Sequence, residues 1–417
     1  MFTFGAADSF EMHLLICYNS KIVNRKGSDN LKLYLGKKTF KLIDWFSLVI
    51  VFLIVAFSLI SLTNVLADPF TGQEQGLGDI FDNLNLSNVV WQGLFFLIGL
   101  VAIAVILLFD YNILRDWVHI IYWANIVLLV AVLLFGSNQR GATGWFMIGG
   151  RGFQPSELAK IAIIITLSKM FADKTENGGQ GIQTWRELWP LLWRFALPFA
   201  IIIAQKDLGT ALVYAVVFAV LLVVSKTSWK LILILAGVVV CLLPLAWILL
   251  DDWQKNRILA FINPEADLQN SGYNVEQAKI AIGSGGLTGK GFFTEGSLSQ
   301  LNYVPEKHTD FLFSVTVEAV GFVGGLILIL LYLALLARLW FLSIRAKDRF
   351  GSYLIIGVMA MFLFHIVENI GMNMGVMPVT GIPLPFFSYG GSNMLTSMIA
   401  MGIVLNVNMR RNRTALA

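Results

Sequence analysis

Apolar residues in this chain gather into long runs, and polar residues gather between them. The first run, Trp45 to Leu66, is rich in Val, Ile, Phe and Leu, carries no charge and has an aromatic residue at its edge. That pattern predicts a helix crossing a bilayer, where about 20 apolar residues span the hydrocarbon and aromatic side chains anchor at the interface. Further runs fall at about 89–109, 117–136, 157–172, 188–204, 208–225, 229–250, 311–337, 351–373 and 392–409. The expectation is an all-α, polytopic integral membrane protein with ten transmembrane helices and a large extracytoplasmic loop between the seventh and eighth. That loop, residues 251–310, holds seven glycines between Gly272 and Gly296, closely spaced charges, and a helix-like apolar segment around Val275, Ala278 and Ile282. Disordered linkers lack such anchors, so it reads as a folded loop of functional weight.

Composition supports the membrane reading. Of 417 residues, 57% are hydrophobic and 13% charged, with a mean hydropathy of +0.73. The charged fraction is about half that of an ordinary soluble domain. The net charge of +4 is small and confined to particular loops, which argues for orientation in a membrane and against nucleic-acid binding. Lys226 and Lys230, then Arg338, Arg345, Lys347 and Arg349, then Arg410, Arg411 and Arg413 mark cytoplasmic segments by the positive-inside rule. The 67–88 loop has Asp68, Glu74, Asp79 and Asp82 with no Lys or Arg, which places it outside. Both termini then lie in the cytoplasm, and 137–156, 251–310 and 374–391 lie on the outer side. Residues 1–43 read as a basic cytoplasmic leader, 44–411 as the membrane domain and 412–417 as a cytoplasmic tail. Cys17 and Cys241 are placed for neither a disulfide nor a metal cluster. There is no visible internal repeat to support a repeat-built transporter.

Four polar clusters sit within or beside the apolar runs, where unpaired charge costs several kcal/mol. In NQRGATGWFMIGGRGFQPSELAK, Pro155 suits a helix start, Ser156 can cap it, and Glu157 and Lys160 share one helical face. Arg140 and Arg151 lie on the expected outer side, against the positive-inside bias, which favours anion binding as much as a local ion pair. In AQKDLGTAL, Asp207 either caps the following helix or pairs with Lys160. Glu318, deep in FLFSVTVEAVGFVGG, must be protonated or paired. In HIVENIGMNMGVMPVTGIPLPFFSYGGSN, the density of Pro and Gly forbids a continuous helix, so Pro378 to Gly391 should be irregular backbone lining a cavity or folded on the outer face. A lone His365 on an apolar face reads as a satisfied helix residue. No His pair has metal-ligand spacing, and no Ser-His-Asp or phosphate-loop pattern occurs.

The run NPEADLQNSGYNVEQAKIAIGSGGLTGKG with SQLNYVPEKHTDF, together with FQPSELAK, QKDLGTAL and PVTGIPLPFFSYGGS, resembles the SEDS proteins of bacterial cell-wall synthesis. The resemblance covers about residues 44–411 and is closer to the elongation branch than to the division branch. It implies a peptidoglycan glycosyltransferase that polymerises lipid II on the outer face of the cytoplasmic membrane, with no organic cofactor. It implies a class B penicillin-binding protein as partner, besides the lipid II substrate and membrane lipids. The family's essential loop aspartate corresponds to Asp267 of Asn263-Pro264-Glu265-Ala266-Asp267, and Arg140, Trp145, Gln154, Glu157, Lys160 and Asp207 match other important family positions. The chain departs where Glu318 is followed by Ala319 instead of a second acid, at Asn393 after Ser392, and in its longer leader.

Joining two lipid II molecules requires a sugar hydroxyl to attack an anomeric carbon and expel a lipid pyrophosphate. A carboxylate can accept the hydroxyl proton, which makes Asp267 the candidate base of an inverting displacement. The leaving group needs positive partners, for which Arg140 and Arg151 are candidates, while Lys160 organises Glu157 and Asp207. A magnesium or manganese ion bridging phosphate to Asp267 is the competing assignment for that carboxylate. Glu265 and Glu306 serve as controls. The rival reading is a lipid II flippase, supported by the intramembrane charges Lys160, Asp207 and Glu318.

Overall fold

The structure, a computed structural model, describes residues 42–67, 86–139, 141–149, 151–176, 179–263, 271–294, 296–298, 300–301 and 303–411. Helices occupy all ten places where apolar runs were expected: α1 (Trp45–Leu66), α2 (Ser87–Leu108), α4 (Val118–Phe135), α5 (Pro155–Thr175), α6 (Trp185–Ala204), α7 (Leu208–Val224), α8 (Trp229–Leu249), α11 (Leu312–Ile344), α12 (Arg349–Asn373) and α13 (Gly391–Met409). Short helices α3 (Asn112–Asp116), α9 (Asp252–Ile262) and α10 (Ser271–Ser284) lie between them. Seven of the long helices, α1, α2, α4, α6, α8, α11 and α12, are long and apolar enough to cross a membrane.

The other three differ for a physical reason. Helix α7 has 17 residues, α5 carries Glu157, Lys160 and Lys169, and α13 carries Asn393, Asn406 and Asn408. Helices α5 and α13 are buried along most of their length, so protein and not lipid surrounds their polar groups. The opposite extreme is α8, whose mean hydropathy is 2.9 and whose one buried residue is Leu231. Its apolar surface faces outward on nearly all sides, as a lipid-facing helix requires.

Helix α12 packs against α5, α7 and α11, and α13 packs along α2. Lipid supplies no hydrophobic drive between helices, so close packing and small residues hold such a bundle together. Gly99 of α2 is one contact point: a Cβ there would sit 2.5 Å from Met398 Cγ of α13. At one end of the bundle ion pairs close the helix termini, with Arg338 on the buried Asp44 at 2.6 Å, Arg410 near Asp110 at 3.5 Å and Arg115 on Glu176 at 2.7 Å.

The opposite end departs from the all-helical expectation. There β1 (Ser137–Gln139), β2 (Ala142–Ile148) and β3 (Arg151–Phe153) form a three-stranded antiparallel sheet in the order β1-β2-β3. Strands β1 and β3 have three residues each, and β2, ATGWFMI, does not alternate apolar with polar positions, so no strand period shows in the sequence. Part of the long polar segment is likewise helical, as α9 and α10, and α10 contains the apolar residues Val275, Ala278 and Ile282.

Helix α11 is broken at Gly321, which takes φ 70° and ψ −173°. The break leaves main-chain groups without helical partners, and the glycine-rich segment supplies them. Lys290 and Gly291 N–H groups donate to Glu318 and Ala319 carbonyls at 3.0 and 2.9 Å, while Phe322 and Val323 N–H groups donate to Gly286 and Leu287 carbonyls at 2.9 and 3.1 Å. Irregular backbone at membrane depth survives only when so satisfied. The buried Glu318 carboxylate completes the join, accepting from Lys290 Nζ at 2.7 Å and from Leu298 N–H at 2.9 Å. Glu318 is therefore paired, one of the two expected outcomes.

Candidate active site

The start of α5 forms the floor of the site. Pro155 occupies the first turn, where its missing N–H is not needed, and Gln154 is the N-cap. The Gln154 N–H donates to Ser392 Oγ at 3.0 Å, and its Nε2 donates to Asp207 Oδ2 at 3.0 Å. Ser156 does not cap α5; its hydroxyl donates to the same Asp207 oxygen at 3.1 Å. Asp207 N-caps α7, accepting from Thr210 N–H at 3.0 Å. One carboxylate thus joins the starts of two helices. Asp207 does not meet Lys160, because Lys160 is already engaged: its Nζ donates to Glu157 Oε1 at 2.7 Å, with side chains 2% and 5% exposed. The i,i+3 spacing on one helical face makes that pair the local solution.

A second partner of Lys160 was not anticipated. His365 Nε2 lies 3.1 Å from Lys160 Nζ, and His365 Nδ1 lies 3.0 Å from the Pro383 carbonyl oxygen. An ammonium only donates and a carbonyl only accepts, so the imidazole is neutral with its proton on Nδ1. Removing a Lys and a Glu from water costs several kcal/mol per ion, and these contacts offset it. The offset is incomplete, since Glu157 Oε2 is buried and has no hydrogen-bond partner among the described residues.

The polar face of α12 fixes the irregular segment 374–390 as a wall. Asn369 Nδ2 donates to the Asp310 and Ile382 carbonyls at 3.0 and 2.9 Å, and Asn373 Nδ2 also reaches the Asp310 carbonyl at 3.0 Å. Thr380 Oγ1 donates to Glu368 Oε1 at 2.7 Å, and Tyr332 of α11 donates to the Pro385 carbonyl at 2.6 Å. Tyr389 N–H donates to the His308 carbonyl at 3.0 Å, which joins this wall to the segment before α11. All but the Thr380–Glu368 bond satisfy main-chain groups, those of Ile382, Pro385 and Tyr389 belonging to a segment that Pro and Gly keep out of a helix.

The sheet and the start of α2, through Asn88 and Phe95, form the remaining side, with α9 placed behind the lining. In β2, Trp145 pairs with Ser137 of β1, and its ring packs over Gly152 of β3, where a Cβ would lie 2.6 Å from Trp145 Cε3. Thr143 N–H donates to the Gln205 carbonyl at 3.0 Å, anchoring β2 to the end of α6. Lys206 pairs with Asp251 at 2.7 Å, and this hydrogen bond holds the Asp251 carboxyl below the usual carboxylate range. Asp251 caps α9 in a reciprocal capping box with Gln254. On α9, Arg257 stacks on Trp253 at 4.9 Å and its Nη1 donates to the Val379 carbonyl at 3.4 Å.

These elements enclose a cavity of about 700 Å³. Trp145, Gln154 and Glu157 line it, as do His308, Thr309 and Asp310 from the segment before α11. Gly381, Pro383, Tyr389, Ser392 and Asn393 complete the wall. Of the expected site residues, Trp145, Gln154 and Glu157 therefore share one cavity, with Lys160 and Asp207 bonded directly behind them. Arg151 opens β3, with its main chain in register with Ile148. Arg140, Glu265 and Asp267 lie outside the described residues. Among the described residues no group of three or more His, Cys, Asp or Glu side chains is placed to hold a metal ion. A magnesium or manganese site that used Asp267 would lie outside the described residues. His308, Thr309 and Asp310 were not chosen from sequence as site residues, although polar groups directly before an apolar run were the available signal.

The chain matches the FtsW, RodA and SpoVE family of cell cycle proteins over residues 44–413. The chain belongs to that family. The peptidoglycan glycosyltransferase MrdB of Escherichia coli K12 is 38% identical over 75% of this chain and 83% of its own length. The peptidoglycan glycosyltransferase RodA of Treponema pallidum is 31% identical over 80% of this chain and 92% of its own. A solved chain from a peptidoglycan synthase complex that coordinates polymerisation and crosslinking superposes with a TM-score of 0.70 at 28% identity, covering 89% of this chain and 99% of that one. The fold is that of a RodA-type multi-pass membrane protein, and the SEDS resemblance read from separated motifs is correct.

Proposed function

We propose that this protein is a peptidoglycan glycosyltransferase of the elongation type, polymerising lipid II at the outer face of the cytoplasmic membrane. The observation that carries the reading is the cavity itself: three motif segments far apart in sequence, around Glu157, Asp310 and Pro383, line one chamber at one end of the helix bundle. An amphipathic, lipid-linked sugar needs a polar chamber beside the bilayer, and all ten long helices are assigned to crossings that place it there.

In this reading the 4-hydroxyl of one saccharide attacks the anomeric carbon of another. The C–O bond to the lipid pyrophosphate breaks as the new glycosidic bond forms, and the hydroxyl proton passes to a carboxylate. Asp267 is assigned that proton as general base; the competing assignment makes the same carboxylate a ligand to a cation. One in-line displacement inverts the anomeric centre. Arg140 and Arg151 are assigned to the departing pyrophosphate, whose growing negative charge is best met by planar guanidinium groups. Trp145, Gln154 and Glu157 are assigned to holding saccharide. Lys160 and Asp207 are assigned to holding those residues, because their own bonds go to Glu157 and Gln154. A class B penicillin-binding protein is assigned as partner, in keeping with the polymerising and crosslinking complex that the fold matches.

The flippase alternative rested on unexplained intramembrane charge. Lys160, Asp207 and Glu318 each have a local partner, which removes that support. The test is to supply labelled lipid II to the purified protein with its partner in detergent and to measure glycan length. Wild type and Glu265→Ala are expected to make polymer and folded Asp267→Ala none. Equal polymerisation by Asp267→Ala would remove Asp267 from the chemistry, and scrambling of lipid II by a protein that never polymerises would favour the flippase.

A further inference from the structure

The catalytic reading leaves His365 without a task, yet its imidazole is fully engaged. Its Nδ1–H donates to the Pro383 carbonyl and its Nε2 accepts from Lys160 Nζ. Pro383 and Glu157 both line the cavity, and Lys160 stands between His365 and Glu157. One ring therefore connects the irregular wall to the ion pair in the floor. Glu157 accepts through Oε1 alone, while its buried Oε2 has no partner among the described residues. A buried carboxylate oxygen without a donor is costly unless a ligand supplies one.

The geometry points to His365 as a positioning residue for substrate recognition. It holds the Lys160 ammonium, and through it the Glu157 carboxylate, so that Oε2 accepts a hydrogen bond from a hydroxyl or amide group of the lipid-linked saccharide. This rests on the reading of the cavity as the saccharide site. Without His365, Lys160 regains rotameric freedom and Glu157 follows it, since the two are linked at 2.7 Å. Because Pro383 is bonded to the same imidazole, His365 links the wall to the Lys160–Glu157 pair, beside the separate link that Gln154 N–H makes to Ser392.

The experiment measures kcat and KM for labelled lipid II polymerisation by the full-length protein with its partner. His365→Phe fills the space but offers Lys160 no acceptor. It is expected to raise KM about tenfold to a hundredfold, the usual cost of misplacing a substrate-positioning group. His365→Gln, whose amide oxygen accepts and whose amide nitrogen donates, is expected to restore most of the loss. In a Glu157→Gln background, His365→Phe is expected to raise KM no further, because both changes act through one carboxylate. A merely structural role would instead lower the active fraction, reducing apparent kcat with KM unchanged and adding to Glu157→Gln. Should the Phe variant not fold, His365→Asn, too short to bridge Lys160 and Pro383, gives the same readout. A wild-type KM in the His365 variants alongside a raised KM in Glu157→Gln would overturn the role of His365 and leave the site reading intact. Unchanged kinetics in Glu157→Gln would overturn the site reading itself.

Discussion

Replacing Gly321 by alanine is expected to detach the glycine-rich segment from α11. Gly321 sits at φ 70° and ψ −173°, and a Cβ there would meet Gly289 N at 2.3 Å and the Leu287 carbonyl oxygen at 2.5 Å. Both atoms are main chain, so no rotamer change relieves the overlap. The backbone conformation alone costs a side chain of order 1–3 kcal/mol. Separating the segments to relieve the clash also weakens the hydrogen bonds from Lys290, Gly291, Phe322 and Val323, each worth about 1 kcal/mol net. Losing half of that set together with the strain gives about 3–5 kcal/mol. Hydrogen exchange by mass spectrometry reads the change locally, at about tenfold per 1.4 kcal/mol. The amides of residues 289–291 and 322–323 are expected to exchange at least a hundredfold faster in the variant. Gly283→Ala is the control, since nothing lies within 4 Å of a Cβ there. Unchanged protection in Gly321→Ala would refute the claim that this join holds the segment in place.

Asp207→Ala is expected to lose about 1 kcal/mol from the α7 cap, with a further loss from freeing Gln154, while Asp207→Asn retains the cap; thermal unfolding in detergent compares the two. Asn369→Leu leaves the Ile382 carbonyl without its donor and is expected to lower stability by about 1–3 kcal/mol and to reduce polymerisation, read by thermal unfolding and glycan length. The Lys206 hydrogen bond lowers the folded-state pKa of Asp251, so its stabilisation is present above the ordinary carboxylate value and is lost as pH falls through the lowered one. Lys206→Met is expected to return that titration toward 3.8, as seen by NMR of carbon-labelled carboxyls, and an unmoved titration would contradict the pairing.

The helices were legible because a bilayer core imposes length and apolarity that survive in the sequence one residue at a time. So was the Glu157–Lys160 pair, whose spacing of three already places both groups on one helical face. Contacts between distant helices were not legible. His365 read as a satisfied helix residue, which it is, but its partners are Lys160, 205 positions away, and the carbonyl of Pro383. Asp207 offered two partners, and the cap prevailed because Thr210 is adjacent while Lys160 was already taken. The break at Gly321 was hidden in an apolar run that reads as continuous, since its cause is the docking of residues 286–291 from another segment. Two strands were hidden by their brevity, and β2 by its lack of apolar–polar alternation. The motif resemblance contained His308, Thr309 and Asp310 within SQLNYVPEKHTDF but singled out none of them as a site residue; their place shows in the cavity lining and in the bond from Tyr389 N–H to the His308 carbonyl.

The most direct test asks where the lipid-linked saccharide sits. A photocrosslinking amino acid at Met147, which lines the cavity and is half exposed, is paired with one at Trp117 before α4, outside the cavity lining. Each protein is irradiated with labelled lipid II and the adducts are mapped by mass spectrometry. The saccharide is expected to crosslink at position 147, with unlabelled lipid II competing it away, and to leave position 117 unlabelled. Equal labelling at both positions, or none at 147 in a protein that polymerises normally, would contradict the assignment of this cavity as the reaction chamber.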